Sequence, residues 1–214
     1  MKTLDKFWVH RAYNEIELVG TSCARTVWIT SFRRPHDWFP PAMRPLLLMG
    51  PDRSLDHLAP VFAGPLRLVL TDMAEWCAVH APNLYVEQER VSEGFRTARY
   101  HRTLYAKGRQ QVNGVWRVIH PSQVVTHRDG YDAPSNHQSG LAGDVVPLLR
   151  STGNYTWEPK DGFWDYLGHS ARSHGLKWGG DWVSFKDMPH VEWPETDKAT
   201  YQEVKAWLKE QGLT

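Results

Sequence analysis

Ser135-Asn136-His137-Gln138-Ser139-Gly140-Leu141-Ala142-Gly143-Asp144 is the stretch on which the reading of this chain turns. It offers an imidazole at His137 and, seven residues later, a carboxylate at Asp144. A second stretch, Asp187-Met188-Pro189-His190, offers another imidazole with a carboxylate three residues before it. Two histidines and one aspartate make a three-ligand zinc set: His137, Asp144 and His190. That count leaves the fourth tetrahedral position for water, as a catalytic zinc site requires. Asp187 is then free to act as a base on that water. One zinc ion per chain is expected.

The residues between the ligands fit this reading. Gly140, Ala142 and Gly143 let the backbone turn and approach the site closely. A hairpin or strand-turn-strand would place His137 beside Asp144. Pro189 disfavours helix at Met188 and lacks a donor, so 187–190 is read as extended or turning. The chain has 11 histidines, most of them expected at the surface or in hydrogen-bonded core positions. His127, ten residues before His137, is the main rival ligand.

Ser-x-His-x-x-Gly-x-Ala-x-Asp is met by Ser135, His137, Gly140, Ala142 and Asp144. It is followed by Trp178-Gly179-Gly180-Asp181-Trp182 and then by Asp187-Met188-Pro189-His190-Val191-Glu192. A third element, Ser92-Glu93-Gly94-Phe95-Arg96-Thr97, runs on to Leu104-Tyr105-Ala106-Lys107-Gly108-Arg109. In these three ordered motifs, over residues 52–193, the chain resembles the zinc peptidases of bacterial peptidoglycan. These are the D-Ala-D-Ala carboxypeptidases and the L-alanyl-D-glutamate endopeptidases, which share a fold with the hedgehog signalling domain. The third element is most like the endopeptidase branch, including phage endolysins.

The resemblance implies an α+β fold, a small mainly antiparallel sheet flanked by helices. It implies hydrolysis of the L-alanyl-D-glutamate bond of the wall stem peptide. A D,D-carboxypeptidase and a zinc domain that only binds the wall are the alternatives. Arg96 matches a family arginine near the catalytic centre, where a guanidinium stabilises an oxyanion or holds a substrate carboxylate. Ser135 is expected to bond a ligand or the turn backbone. Asp181 either orients a metal-bound histidine or caps a turn. Trp178 and Trp182 are read as walls of the substrate groove, and Glu192 as an acceptor behind His190. Three positions depart from the family: His101 where glutamine is common, Gly143 where an apolar residue is usual, and Val191 where an aromatic is usual. His101 is not assigned to the metal.

Lys plus Arg number 25 against 24 Asp plus Glu. A balance this even argues against a nucleic-acid binder built on bulk charge. No segment approaches the length of a membrane span, so no membrane insertion is expected. The two cysteines, Cys23 and Cys77, cannot build a disulfide framework and are read as free thiols. The start has no apolar h-region of signal-peptide type. The expected route is that of a phage endolysin, held in the host cytoplasm until a holin releases it, and acting as a monomer. A virion-associated lysin is the other route. The His/Asp ligand set would also accept Co²⁺ or Mn²⁺.

Residues 1–50 are read as an extension: a subdomain, a wall-binding element or added strands, with Thr26–Phe32 as a strand. Residues 51–193 form the peptidase domain. Two helices are expected on either side of Pro65, the first capped by Ser54. Leu84–Glu87 reads as a strand. Thr97–Lys107 reads as a helix with Tyr100, Leu104 and Tyr105 inward, ended by Gly108. Gln123–Thr126 and Val145–Leu149 read as strands. Phe163, Trp164, Leu167 and Ala171 set a helix ended by Gly175. Residues 194–214 hold a helix with a possible capping box at Thr200 and Glu203, ended by Gly212. It docks on the domain or is the remnant of a wall-binding module.

Overall fold

A computed structural model describes residues 8–12, 15–19, 50–159, 162–194 and 198–210. By backbone contacts the chain falls into two units, Met1–Phe39 and Pro40–Thr214. The first contains an antiparallel hairpin of β1, Trp8–Ala12, and β2, Glu15–Val19, with Trp8 opposite Val19. The strand expected at 26–32, Cys23 and Gly212 lie outside the described residues.

The second unit is α+β. A 3-10 turn at Leu55–His57, capped by the Ser54 side chain, leads into one long helix, α1, Pro60–His80. This corrects the expectation of two helices. Pro65 sits inside α1 and lacks the N–H that would bond the Val61 carbonyl, a defect of roughly 3 kcal/mol in a helix interior. The helix continues because its inner face is wholly buried: Phe62, Leu66, Val69, Leu70, Met73 and Cys77 each have no exposed surface. Burying one such side chain contributes about 1.5–3 kcal/mol, so the face outweighs the single lost bond. Burial also pushes the Cys77 thiol up to about 11.

Short elements follow. Strand β3, Leu84–Tyr85, precedes α2, Ala98–Tyr105. Thr97 caps α2, accepting from the Tyr100 N–H, and Gly108 turns the chain at φ 70°. The buried residue of α2 is His101, not Tyr100, Leu104 or Tyr105. A hairpin that sequence reading passed over comes next: β4, Arg109–Val112, and β5, Val115–Val118. Its turn is Asn113-Gly114, both at positive φ, the pair a two-residue hairpin turn favours. Residues 124–126 form no strand, contrary to expectation; a 3-10 turn at Pro121–Gln123 precedes them.

Strand β6, Ala142–Asp144, is followed by β7, Leu148–Leu149, which pairs with β3. The expected strand from 145 is therefore broken. Helix α3 spans Phe163–Ser173 and turns out through Gly175 at φ 74°. Strands β8, Lys177–Trp178, and β9, His190–Glu192, complete a three-stranded antiparallel sheet in the order β6-β9-β8. Helix α4, Lys198–Glu210, buries Val204 and Leu208 in the same core as α1 and α3. Among the described residues, no helix is long and apolar enough to cross a membrane.

The indole of Trp178 ties this core to the 187–190 turn. It is buried, and its Nε1 donates to Met188 O at 2.7 Å. A Cβ on Gly168 or on Gly180 would overlap the ring, so the indole lies between two glycines. Gly180→Ala is therefore expected to destabilise the fold by about 1–3 kcal/mol, the usual cost of overpacking. Gly64→Ala in α1 meets no atom within 4 Å and should be neutral or stabilising. Denaturant unfolding of the two variants checks the contrast.

Candidate metal centre and active-site cleft

The register of the sheet builds half of the site. Asp144 on β6 lies directly opposite His190 on β9. Directly opposed residues project to the same face, so pairing alone brings carboxylate and imidazole together. On the other face Gly143 opposes Val191, which is fully buried. A Cβ on Gly143 would meet Leu66 of α1 at 3.4 Å and Val91 at 3.6 Å, both ordinary contacts.

His137 arrives differently from the expected strand. It sits in a 3-10 turn, Asn136–Ser139, closed by Gly140 at φ 66°. A side chain at Gly140 would press on Ala59 N and His57 O, each 3.0 Å from its Cβ. Gly140 O in turn accepts from Ala59 N at 2.9 Å, which fixes the turn to the start of α1. The motif's glycine is thus needed for both the turn and the close approach.

Three ligand atoms converge. His137 Nε2 lies 3.2 Å from His190 Nδ1 and 3.4 Å from Asp144 Oδ1, and His190 Nδ1 lies 3.2 Å from Asp144 Oδ1. All three residues are buried. Ligands of a tetrahedral metal at about 2.0–2.1 Å stand about 3.3–3.4 Å apart, which is the size of this triangle. The outer nitrogens fix the tautomers. His137 Nδ1 donates to Gly94 O at 2.7 Å, which leaves Nε2 a bare lone pair. His190 Nε2 is 3.1 Å from Glu192 Oε2, a carboxylate that accepts its N–H. Two lone pairs and a carboxylate oxygen facing one point fit a cation, and a carbonyl or carboxylate accepting from the outer nitrogen is what a metal-binding histidine uses.

The same atoms can share a proton instead. Burial disfavours charge on His190, but its bonds to Asp144 and Glu192 outweigh that and hold it up at about 9. Burial and the Arg96 charge push His137 down. Asp144 is held well below the usual carboxylate range: burial opposes this, and the charges of His137 and Arg96 overcome it. A metal ion competes with the His190 proton for this triangle.

Arg96 is placed by a strand-like pairing. Glu93 bridges to Asp144, with Asp144 N donating to Glu93 O at 2.7 Å. The guanidinium then reaches Glu93 Oε1 from Nε at 2.6 Å and Asp144 Oδ2 from Nη2 at 2.7 Å. Arg96 thus holds the Asp144 carboxylate of the triangle while also lining the cleft. Sequence reading overlooked Glu93 as its partner, although the i, i+3 acid–arginine spacing was visible. It also overlooked Asn136, whose Nδ2 donates to Glu192 Oε2 at 2.8 Å.

The site opens into a cleft of about 1110 Å³. Asp187, Trp182, Phe185 and Lys186 line it from one loop; Tyr100, Leu104, Lys107 and residues 124–128 line it from another side. The chain turns at 187–190, with His190 N donating to Asp187 O at 3.2 Å. Asp187 is pushed up to about 6, first by burial and then by the nearby Asp144 charge. Gly179 permits this packing, because a Cβ there would overlap Asp187 O and come within 2.9 Å of His190 Cβ.

Other expected residues fall elsewhere. Trp182 does wall the cleft, its ring 4.9 Å from that of His190. Trp178 does not; it belongs to the core. Asp181 orients no histidine: it is bound by Arg172 of α3 at 2.8 and 2.9 Å, at the exposed surface. Ser135 opens the 3-10 turn, its N–H donating to Gln138 Oε1 at 2.9 Å. His127 stands on the cleft rim with its ring edge-on to Phe185 at 5.0 Å. His101 lies outside the triangle, its Nε2 paired with Arg128 O at 3.0 Å.

Residues 129–193 match the family described as D-alanyl-D-alanine carboxypeptidase. That span contains all three residues of the triangle and Asp187. The chain is also 33% identical over 109 residues to the peptidoglycan L-alanyl-D-glutamate endopeptidase CwlK of Bacillus subtilis (strain 168). That match covers 48% of this chain and 58% of the relative, so the chain spans less than two thirds of the relative's length. Among solved structures, the L-Ala D-Glu endopeptidase ChiX of Serratia marcescens aligns at 24% identity and a TM-score of 0.37, covering 66% of this chain and 84% of that one. The convergent triangle therefore lies within the segment that matches the family model.

Proposed function

We propose that this chain is a zinc-dependent peptidoglycan endopeptidase that hydrolyses the L-alanyl-D-glutamate bond of the wall stem peptide. The observation that carries the reading is the His137–Asp144–His190 triangle at the floor of an open cleft with Asp187 beside it. A relative named for that activity supplies the substrate class. When bound, zinc supplies Lewis-acid polarisation and water activation. Asp187 takes the proton from the attacking water and passes it to the leaving amine. Its half-buried position and its pKa of about 6 suit a group that must both accept and release a proton near neutrality. Arg96 fixes Asp144 and adds positive charge where the oxyanion develops. Glu192 and Asn136 hold the His190 ring in orientation. The likeness of Ser92–Thr97 and Leu104–Arg109 to phage endolysins supports a lytic role, with release from the host cytoplasm to the wall.

Mass spectrometry of purified peptidoglycan digested with the zinc-loaded protein, beside a chelator control, tests this. New amino-terminal D-Glu with L-Ala left on the muramyl side is the expected product. Loss of terminal D-Ala alone would replace the reading with the carboxypeptidase activity by which the matched family is described. No cleavage by folded, zinc-loaded protein would leave a wall-binding role.

A further inference from the structure

One cation in the cleft is built differently from the others. Lys107, Arg128, Lys177 and Lys186 line it with exposed side chains. Arg53 is half-buried and anchored twice. Its Nε donates to Ser92 O at 3.2 Å, and its guanidinium carbon lies 5.1 Å from the centre of the Tyr155 ring. Its backbone is fixed as well: Arg53 O accepts from Val91 N at 3.1 Å, and Ser54 bridges to Arg90. Among the described residues it has no carboxylate within ion-pair distance, whereas Arg96 in the same cleft has two. Arg53 lines the same cleft as the triangle and is linked to it through Ser92. The Ser92 that it grips donates from its hydroxyl to Asp144 O at 2.7 Å.

An arginine held by its Nε and by a ring beneath it keeps its two terminal nitrogens for a planar, bidentate partner, and a carboxylate is that partner. Substrate chemistry supplies one. A glutamyl residue has two carboxyl groups; continuing the peptide uses one, and the other stays free beside the bond to be cut. We propose that Arg53 is the specificity-determining residue that reads the free carboxylate of the glutamyl residue on the leaving side. The chain would then discriminate against stem peptides in which that carboxylate is amidated. This inference rests on the endopeptidase reading and deepens it.

Two synthetic stem peptides test it, one with the free glutamyl carboxylate and one with the corresponding amide. Wild-type protein should cleave the acid with a kcat/KM at least tenfold above the amide, the scale of one charge-assisted hydrogen-bonded pair. In Arg53→Met the acid-to-amide ratio should fall towards one, mainly through KM. Arg53→Lys, which keeps the charge but not the fork, should fall in between. Equilibrium binding of both peptides to the Asp187→Asn protein reads the same preference without turnover. If Arg53→Met weakens both peptides equally, or leaves the ratio unchanged, Arg53 is not the reader. If folded, zinc-loaded wild type cleaves neither peptide, the endopeptidase reading itself fails and the proposal goes with it.

Discussion

Asp187→Asn should lower turnover by about 10²–10⁴, the range supplied by a positioned general base, while metal content stays at one ion per chain. Both halves follow from geometry. Asp187 lines the cleft but lies outside the convergent triangle. Asparagine preserves size and the turn, because the turn uses Asp187 O rather than its side chain. What it removes is a carboxylate held near 6 by burial and by Asp144. A base works deprotonated, so wild-type kcat/KM should decline as pH falls through about 6 or somewhat below it, since a bound cation draws that pKa down. The variant should lack this acid limb. Metal analysis together with a pH–rate profile checks the pair of claims. An active Asp187→Asn protein with an intact acid limb would show that another group takes the proton.

The three convergent residues, His137, Asp144 and His190, were legible in the sequence because each motif keeps its spacing whatever fold carries it. What remained hidden was how they are brought together. His137 was expected on a strand and stands on a 3-10 turn, since Gly140 must dock against Ala59 before the sheet begins. Pro65 reads locally as a break, yet the continuous buried face of α1 overrides it; burial is a tertiary quantity that a local rule does not contain. Trp178 and Asp181 were drawn to the site by proximity in sequence. One residue along the chain, however, separates an indole pointing into the core from a 3-10 turn whose acid faces Arg172. His101, departing from the family's usual glutamine, turned out to be the buried residue of α2, bonding Arg128 O. The Asn113-Gly114 hairpin is a different case, because its signal was present in the sequence and passed over.

Asp144→Asn should be the most damaging single change, and its damage should extend beyond the metal. Asp144 is buried and meets three partners: His190 through Oδ1 at 3.2 Å, His137 at 3.4 Å and Arg96 through Oδ2 at 2.7 Å. An amide gives the metal no charge, so metal binding and turnover should both be lost. It also leaves the Arg96 guanidinium, 12% exposed, with Glu93 as its one remaining acidic partner at hydrogen-bond distance. Breaking a buried ion pair from one side costs about 3–5 kcal/mol. The loss should therefore appear in denaturant unfolding even with chelator present, which separates it from simple loss of metal. The pH dependence follows from the same pairing. Asp144 ionises well below the usual carboxylate range in the fold, so its contribution is complete above about pH 4 and disappears as pH falls through the folded value. Asp144→Asn should flatten that acid edge. If the variant and wild type unfold at the same denaturant concentration under chelator at pH 7, Arg96 does not depend on Asp144, and the role assigned to their pairing is wrong.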